Sequence, residues 1–176
     1  MKSEDFKEDI KLAVKGDSEA FSRLYALIYK DLYRAALYNL RSESDACDVV
    51  SDTILDAFSS IKKLRSEDAF KSWIFKILFT KIKRKQKEYM NADADIDEPV
   101  YENLLNTMFD FEHYELAEAM YSISDEERMI LSLSVLGGYS SDEISKIMSV
   151  KSVTVRSKLS RTKEKLRKYI ENRKEN

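Results

Sequence analysis

The sequence predicts an all-α fold arranged as two small helical domains joined by an acidic linker, and three of its features carry that expectation. Only three Gly and one Pro occur in 176 residues, too few for sandwiches or barrels, which use those residues at every hairpin. Apolar side chains recur at steps of three and four, the period of a helix with one buried face. Short polar caps with Glu three residues on stand ahead of two such runs, a helix-start signature.

The elements follow in order. Residues 4–15 form a first helix that runs into Gly16-Asp17-Ser18, where the glycine stops it and Asp17 or Ser18 caps the next. In the second, Phe21, Leu24, Tyr25, Ile28, Leu32, Ala35, Ala36 and Leu40 make an aromatic-rich core face. Ser42 and Ser44 precede a third helix reaching to about Ile61. At about 100° per residue its apolar side is Cys47, Val50, Ile54, Ala57, Phe58 and Ile61, with Asp45, Asp48, Asp52 and Asp56 roughly opposite. Two readings of that acidic stripe stand: a solvated face, or a face for a basic protein partner. Carboxylates alone on one helix, without an enclosing partner, hold a metal poorly.

Residues 70–88 form a fourth helix with a core stripe of Phe70, Ile74, Ile77 and Leu78. Its far side carries Ser72, Lys76, Thr80, Lys83, Arg84 and Lys87, with Trp73 and Phe79 near the edges. Cations that neutralise phosphates beside rings that stack on unpaired bases suit melted or single-stranded nucleic acid. Trp73 by itself reads equally as a core residue.

Charge marks the boundary. Residues 1–88 carry 18 basic and 15 acidic side chains, residues 89–112 none and seven, residues 113–176 twelve and ten. With the only proline, Pro99, in its midst, the acidic stretch reads as a linker over 90–112 between domains at 1–89 and 113–176. Basic side chains concentrate at 62–87, ten against two acidic, and at 146–174, eleven against two. Two such blocks point to two contacts with one polyanion, a solvated face being the alternative for either block alone.

In the second domain, ELAEAMYSI forms a helix, and Ser124-Asp125-Glu126-Glu127 is a capping box opening ERMILSLSVL, which Gly137-Gly138 stops. A second box at Ser140-Ser141-Asp142-Glu143 opens a short helix to Met148. After a turn at 149–151 a long helix starts near Ser152, and this is a helix-turn-helix pattern. Val155, Leu159, Thr162, Leu166 and Ile170 share one face of the long helix. Thr154, Arg156, Ser157, Lys158, Ser160, Arg161, Lys165 and Lys168 occupy the rest, with Arg156, Lys158 and Arg161 placed to reach base edges or phosphates.

One cysteine, Cys47, cannot form an internal disulfide, and one histidine, His113, excludes metal sites needing two imidazoles. No cofactor or metal is expected. Acidic residues stand where a signal peptide needs an apolar run, and no apolar stretch approaches ~18 residues, so no membrane insertion and a cytoplasmic location are expected.

Taken together, these segments resemble the bacterial RNA polymerase sigma factors of the extracytoplasmic-function class. GDSEAF and RLY within 16–25 are similar to that family's opening motif, DACDVVSDTILDAF at 45–58 to its core-binding helix, and LRSEDAFKSWIFKI at 64–77 to the segment that opens and reads the minus ten element. ISDEERMILSL, GYSSDEISKIM and VTVRSKLSRTKEKLR are similar to its minus thirty-five-reading domain.

The resemblance implies a non-enzymatic specificity subunit that directs core polymerase to promoters and is held by an anti-sigma factor until a signal. It implies contacts to the polymerase clamp coiled coil and flap, and to promoter DNA both duplex and melted. Asp45, Asp48, Val49, Asp52 and Asp56 would bind the core enzyme. Leu64, Arg65, Ser66, Trp73, Lys76, Thr80, Lys83, Arg84 and Lys87 would bind the minus ten strand, with the 64–69 loop capturing a flipped base. Ser152, Thr154, Arg156, Ser157, Lys158, Ser160, Arg161 and Lys165 would bind the minus thirty-five element. The sequence departs from the family pattern at Ser51, Asp56, Thr80, Ser149 and Ser160.

Two other readings compete. One is a helix-turn-helix regulator whose amino-terminal half dimerises, against which stands the second basic surface around Trp73. The other is a metal-dependent nuclease using Asp45, Asp48 and Asp52, against which stands the lack of any converging ligand from another element.

Overall fold

The computed structural model describes residues 3–91 and 111–174. The chain divides into two compact units, Met1–Asp93 and Ala94–Asn176. Most of the acidic stretch expected as a linker lies outside the described residues; at its ends, residues 90–91 close one helix and 111–112 open another.

The first unit contains α1 (Ser3–Val14), α2 (Ser18–Leu40), α3 (Glu43–Ser60) and α4 (Phe70–Asn91), with single 3-10 turns at Ile61–Lys63 and Glu67–Ala69. Gly16 has φ +104°, a conformation that leaves glycine unstrained. Asp17 then caps α2 by accepting from the Glu19 and Ala20 amides at 2.9 and 3.0 Å. The guanidinium of Arg23 donates to Asp9 at 3.1 and 2.5 Å, joining α2 to α1 and holding the Asp9 carboxyl below its ordinary range. Ser42 caps α3 through the Asp45 amide, while Ser44 lies inside the helix.

The core is formed by Leu24, Leu32 and Ala35 of α2, Ala46, Val50 and Ala57 of α3, and Phe70, Ile74, Phe75, Leu78 and Ile82 of α4. Phe79 is also 2% exposed, so it belongs to the core and not to the polar edge of α4. Truncating any of these three buried phenylalanines to Ala costs ~3–5 kcal/mol.

The buried face of α3 is rotated from the expected one. Ala46, Val49, Val50, Thr53 and Ala57 are buried, whereas Cys47 is exposed and Phe58 is half exposed. Small side chains let α3 lie close on its neighbours, and Thr53 satisfies its hydroxyl on the Val49 carbonyl at 2.7 Å, which makes its burial affordable.

The second unit contains α5 (Phe111–Tyr121), α6 (Asp125–Val135), α7 (Ser141–Met148) and α8 (Ser152–Lys174). Both capping boxes form as the sequence predicts: the Glu127 and Glu143 amides donate to the Ser124 and Ser140 hydroxyls, and each glutamate accepts from its serine's amide. At Gly137 a Cβ would stand 2.8 Å from the Leu133 carbonyl and from the Tyr139 ring, so this turn admits no side chain. Arg128 is fully buried, donating to the carbonyls of Met120 and Ile123 at 2.8 and 2.7 Å and to Asp125 at 2.7 Å. It fastens the end of α5 to the start of α6, in a core with Met129, Leu133, Ile144 and Val155.

Candidate nucleic-acid interface

The acidic stripe of α3 lies along its seam with α4, and three of its four carboxylates are engaged there. Asp45 accepts from Lys85 at 2.7 Å and from the Tyr89 hydroxyl. Burial alone would raise the Asp45 carboxyl, but the bonds from Lys85, Tyr89 and Ser42 outweigh it and hold it below the ordinary range. Lys81 reaches Asp56 at 2.7 Å and Asp52 at 3.7 Å. Asp48 is exposed and makes no ion pair among the described residues. Val49 is 7% exposed, so it supports the face from beneath. The stripe is therefore not a row of four free carboxylates: Asp48 and the outer edges of Asp52 and Asp56 are what it offers a basic partner. Lys81, Lys85 and Tyr89, spaced by four along α4, were not singled out from the sequence. No local signal in the sequence pairs them with α3, since their partners Asp45, Asp52 and Asp56 lie far off in the chain.

On the other side of α4, Lys76, Thr80, Arg84 and Lys87 are exposed, and Ser72 and Lys83 are half-buried. Burial pushes the Lys83 ammonium down. Trp73 is half-buried, its ring 6.0 Å from that of Phe70 and tilted by 41°. Trp73, Lys76, Ile77, Thr80, Lys81 and Arg84, together with Asp56 of α3, line a groove of about 510 Å³ that reaches from this side to the seam. The Thr80 hydroxyl donates to the Lys76 carbonyl at 2.7 Å, leaving its lone pairs toward solvent. An aromatic plane beside cations along one helix is the combination that single-strand platforms use.

Leu64, Arg65 and Ser66 come next to α1 in the turn before α4 and line a smaller cleft. That turn is held by Lys7, 2.8 Å from Asp68, and by the Leu64 amide, which donates to the Ile61 carbonyl at 2.9 Å.

In the second unit α7, a three-residue turn and α8 form the helix-turn-helix. Ser149, in that turn, adopts the left-handed conformation at φ 57°, ψ 39°. Its amide donates to the Ser145 carbonyl, and the Ser145 hydroxyl donates to the Val150 carbonyl at 2.6 Å. Ser152 bonds Asp142 across the turn. Val155, Thr162 and Leu166 are buried; Thr154, Arg156, Ser160, Arg161 and Lys165 are exposed, and Ser157 and Lys158 half-buried. Arg156 makes no ion pair among the described residues. Lys158 pairs with Glu126, and Lys165 with Glu127 at 2.6 Å, which holds the Glu127 carboxyl below its ordinary range. Arg161 donates to Ser157 at 3.2 Å. The cations expected on DNA are thus divided: Arg156 stands ready, while Lys158 and Lys165 are held by the start of α6.

Residues 24–88 match the family described as Sigma-70 region 2, and residues 106–166 the one described as Sigma-70, region 4. The chain is 30% identical over 135 residues to the RNA polymerase sigma factor SigV of Bacillus subtilis, covering 75% of this chain and 80% of that protein. It is 24% identical to the ECF RNA polymerase sigma-E factor of Haemophilus influenzae, over 89% of this chain and 90% of that one. Among solved structures, the sigma factor RpoE bound to the anti-sigma factor NepR, from Bartonella quintana, is similar in fold with a TM-score of 0.60 at 19% identity, over 86% of this chain and 96% of that chain.

Proposed function

We propose how this chain, which belongs to the RNA polymerase sigma-70 family in its extracytoplasmic-function class, carries out its work of directing core polymerase to promoters and initiating transcription. The observation that carries the reading is the order of the two matches. Region 2 falls on the unit with the acidic α3 and the basic, Trp73-bearing α4, and region 4 falls on the helix-turn-helix. A dimerising amino-terminal half would need neither surface, so the regulator reading recedes.

Residues 1–89 form the core-binding and minus ten unit. Asp48, with the outer edges of Asp52 and Asp56, faces the clamp coiled coil, and Asp45 and Val49 keep that face in shape. Trp73, Lys76, Thr80, Lys83, Arg84 and Lys87 hold the melted strand by stacking and charge, and the turn at Leu64, Arg65 and Ser66 receives a flipped base. Residues 113–176 anchor the minus thirty-five duplex near the flap through Ser152, Thr154, Arg156, Ser157, Ser160 and Arg161, and Lys158 and Lys165 join them only on leaving Glu126 and Glu127. The stretch at 90–112 is a linker whose seven carboxylates imitate nucleic-acid charge in the polymerase.

The chain performs no catalysis of its own; it positions DNA for the polymerase. No described helix is long and apolar enough to cross a membrane, which supports a cytoplasmic location. An anti-sigma factor is its controlling partner, a reading supported by the fold it shares with a sigma factor solved in such a complex. The test is co-purification with core polymerase followed by run-off transcription on genomic fragments. Discrete new transcripts are expected, and unaltered core activity would refute the proposal.

A further inference from the structure

Among the described residues of the second unit, Val153 carries the most exposed large apolar side chain, 68% open to solvent. It lies in the first turn of α8. A β-branched residue at an exposed helical position gains neither propensity nor packing, so the fold of this unit gives no reason for it. At about 100° per residue it stands roughly opposite the buried Val155 and Thr162. The side chain therefore points straight out of the helix-turn-helix.

Its neighbours on that outer row are small. Ser157 and Ser160 follow Val153 by one and two turns, and the exposed Arg156 and Arg161 flank the row on opposite sides. Short side chains along the middle of the face let the helix come close to a groove floor, while the arginines reach past them. The row ends at Glu164, whose carboxylate is engaged by Arg167 at 3.0 Å and Lys168 at 3.7 Å. The part of α8 that can lie against DNA is thus its first turns, and Val153 stands at the centre of that face.

In the major groove every base pair offers hydrogen-bonding groups, and thymine alone adds an apolar one, its C5 methyl. Serine and arginine serve the former, and valine can serve only the latter. Its two methyl groups, held in one strongly preferred rotamer on a helix, present a preformed apolar surface.

We propose that Val153 is a specificity-determining residue that reads the C5 methyl of one thymine in the minus thirty-five element. The inference rests on the reading of α8 as the helix that enters the duplex there. What it adds is a base contact made without a hydrogen bond, by a residue outside the polar and basic side chains assigned to that duplex.

The test uses the full chain assembled with core polymerase and fluorescent duplex fragments of a promoter that this holoenzyme transcribes. Each minus thirty-five thymine, on either strand, is replaced in turn by deoxyuridine, which keeps every hydrogen-bonding group and lacks only the methyl. At one position the parent binds the uracil fragment about fourfold more weakly, the ratio that burial of one methyl group supplies. Val153→Ala binds the thymine fragment more weakly by a similar factor and no longer tells the two apart, whereas Val153→Ile keeps the parental preference. Parental indifference to uracil at every position, or an unchanged uracil penalty in the Val153→Ala chain, would overturn the proposal. A loss of duplex affinity in the Arg156→Ala chain would then leave α8 standing as the reader. Duplex binding indifferent to both Val153→Ala and Arg156→Ala would overturn the underlying reading as well. Weakened capture of core polymerase by the Val153→Ala chain, with the uracil penalty intact, would assign the side chain to a protein contact instead.

Discussion

The Lys81 ammonium of α4 sits 2.7 Å from the Asp56 carboxylate and 3.7 Å from that of Asp52, so the basic helix partly neutralises the acidic one at their seam. Asp48 is left as the fully available carboxylate for a basic partner. Asp48→Lys should therefore abolish capture of core polymerase while leaving Tm nearly unchanged, since exposed substitutions usually stay within ~0.5 kcal/mol. Core capture at parental strength would remove this face from the interaction.

Asp45 should behave differently, because its carboxylate is committed to Lys85 and Tyr89. Its folded-state pKa lies below the unfolded value of ~3.9, so its stabilisation is complete above that value and is lost as pH falls through the lower, folded one. Asp45→Asn should lower Tm at neutral pH, and the gap from the parent should close as the solution is acidified below about pH 4. A gap independent of pH would show that the ionised carboxylate contributes nothing to the seam.

Ser149 holds a left-handed conformation that costs an L-residue ~1–2 kcal/mol and glycine almost nothing. Ser149→Gly should raise the thermal stability of the helix-turn-helix by several degrees, and Ser149→Val should lower it, as calorimetry can measure. A destabilised glycine variant would mean that the serine side chain itself supports the turn.

The helix starts, the stops and the helix-turn-helix were legible because they depend on neighbours in sequence: Asp17 with Glu19 and Ala20, Ser124 with Glu127, Ser140 with Glu143. The α3 face was not. Counting apolarity favours Cys47 and Phe58 for the interior, but close packing of α3 on its neighbours selects small residues such as Ala46, and lets Thr53 be buried once its hydroxyl has the Val49 carbonyl. Long-range pairs were equally hidden. Nothing local tells that Lys81 and Lys85 turn to α3 rather than to solvent, that Lys158 meets Glu126, or that Arg128 is buried among three oxygen acceptors.

The pairing of Lys158 with Glu126 carries its own consequence for DNA. Glu126→Gln releases the lysine, so duplex binding by the holoenzyme should tighten and its salt slope steepen by about 0.9 for one added phosphate contact. Arg156→Ala should instead relax base preference at one minus thirty-five position, at ~1–3 kcal/mol. Titrations over a salt series and transcription from a randomised library read the two effects. A parental slope for Glu126→Gln would place Lys158 off the backbone.

Permanganate probing of unpaired thymines tests the central claim most directly, on a promoter fragment incubated with core polymerase, with this chain, or with both. Reactivity confined to the minus ten region and present only when both are added is the predicted result, with Trp73→Ala weakening it by the ~1–3 kcal/mol of one stacked base. Promoter binding by the chain alone, with no reactive thymines in any mixture, would contradict the account and restore the helix-turn-helix regulator.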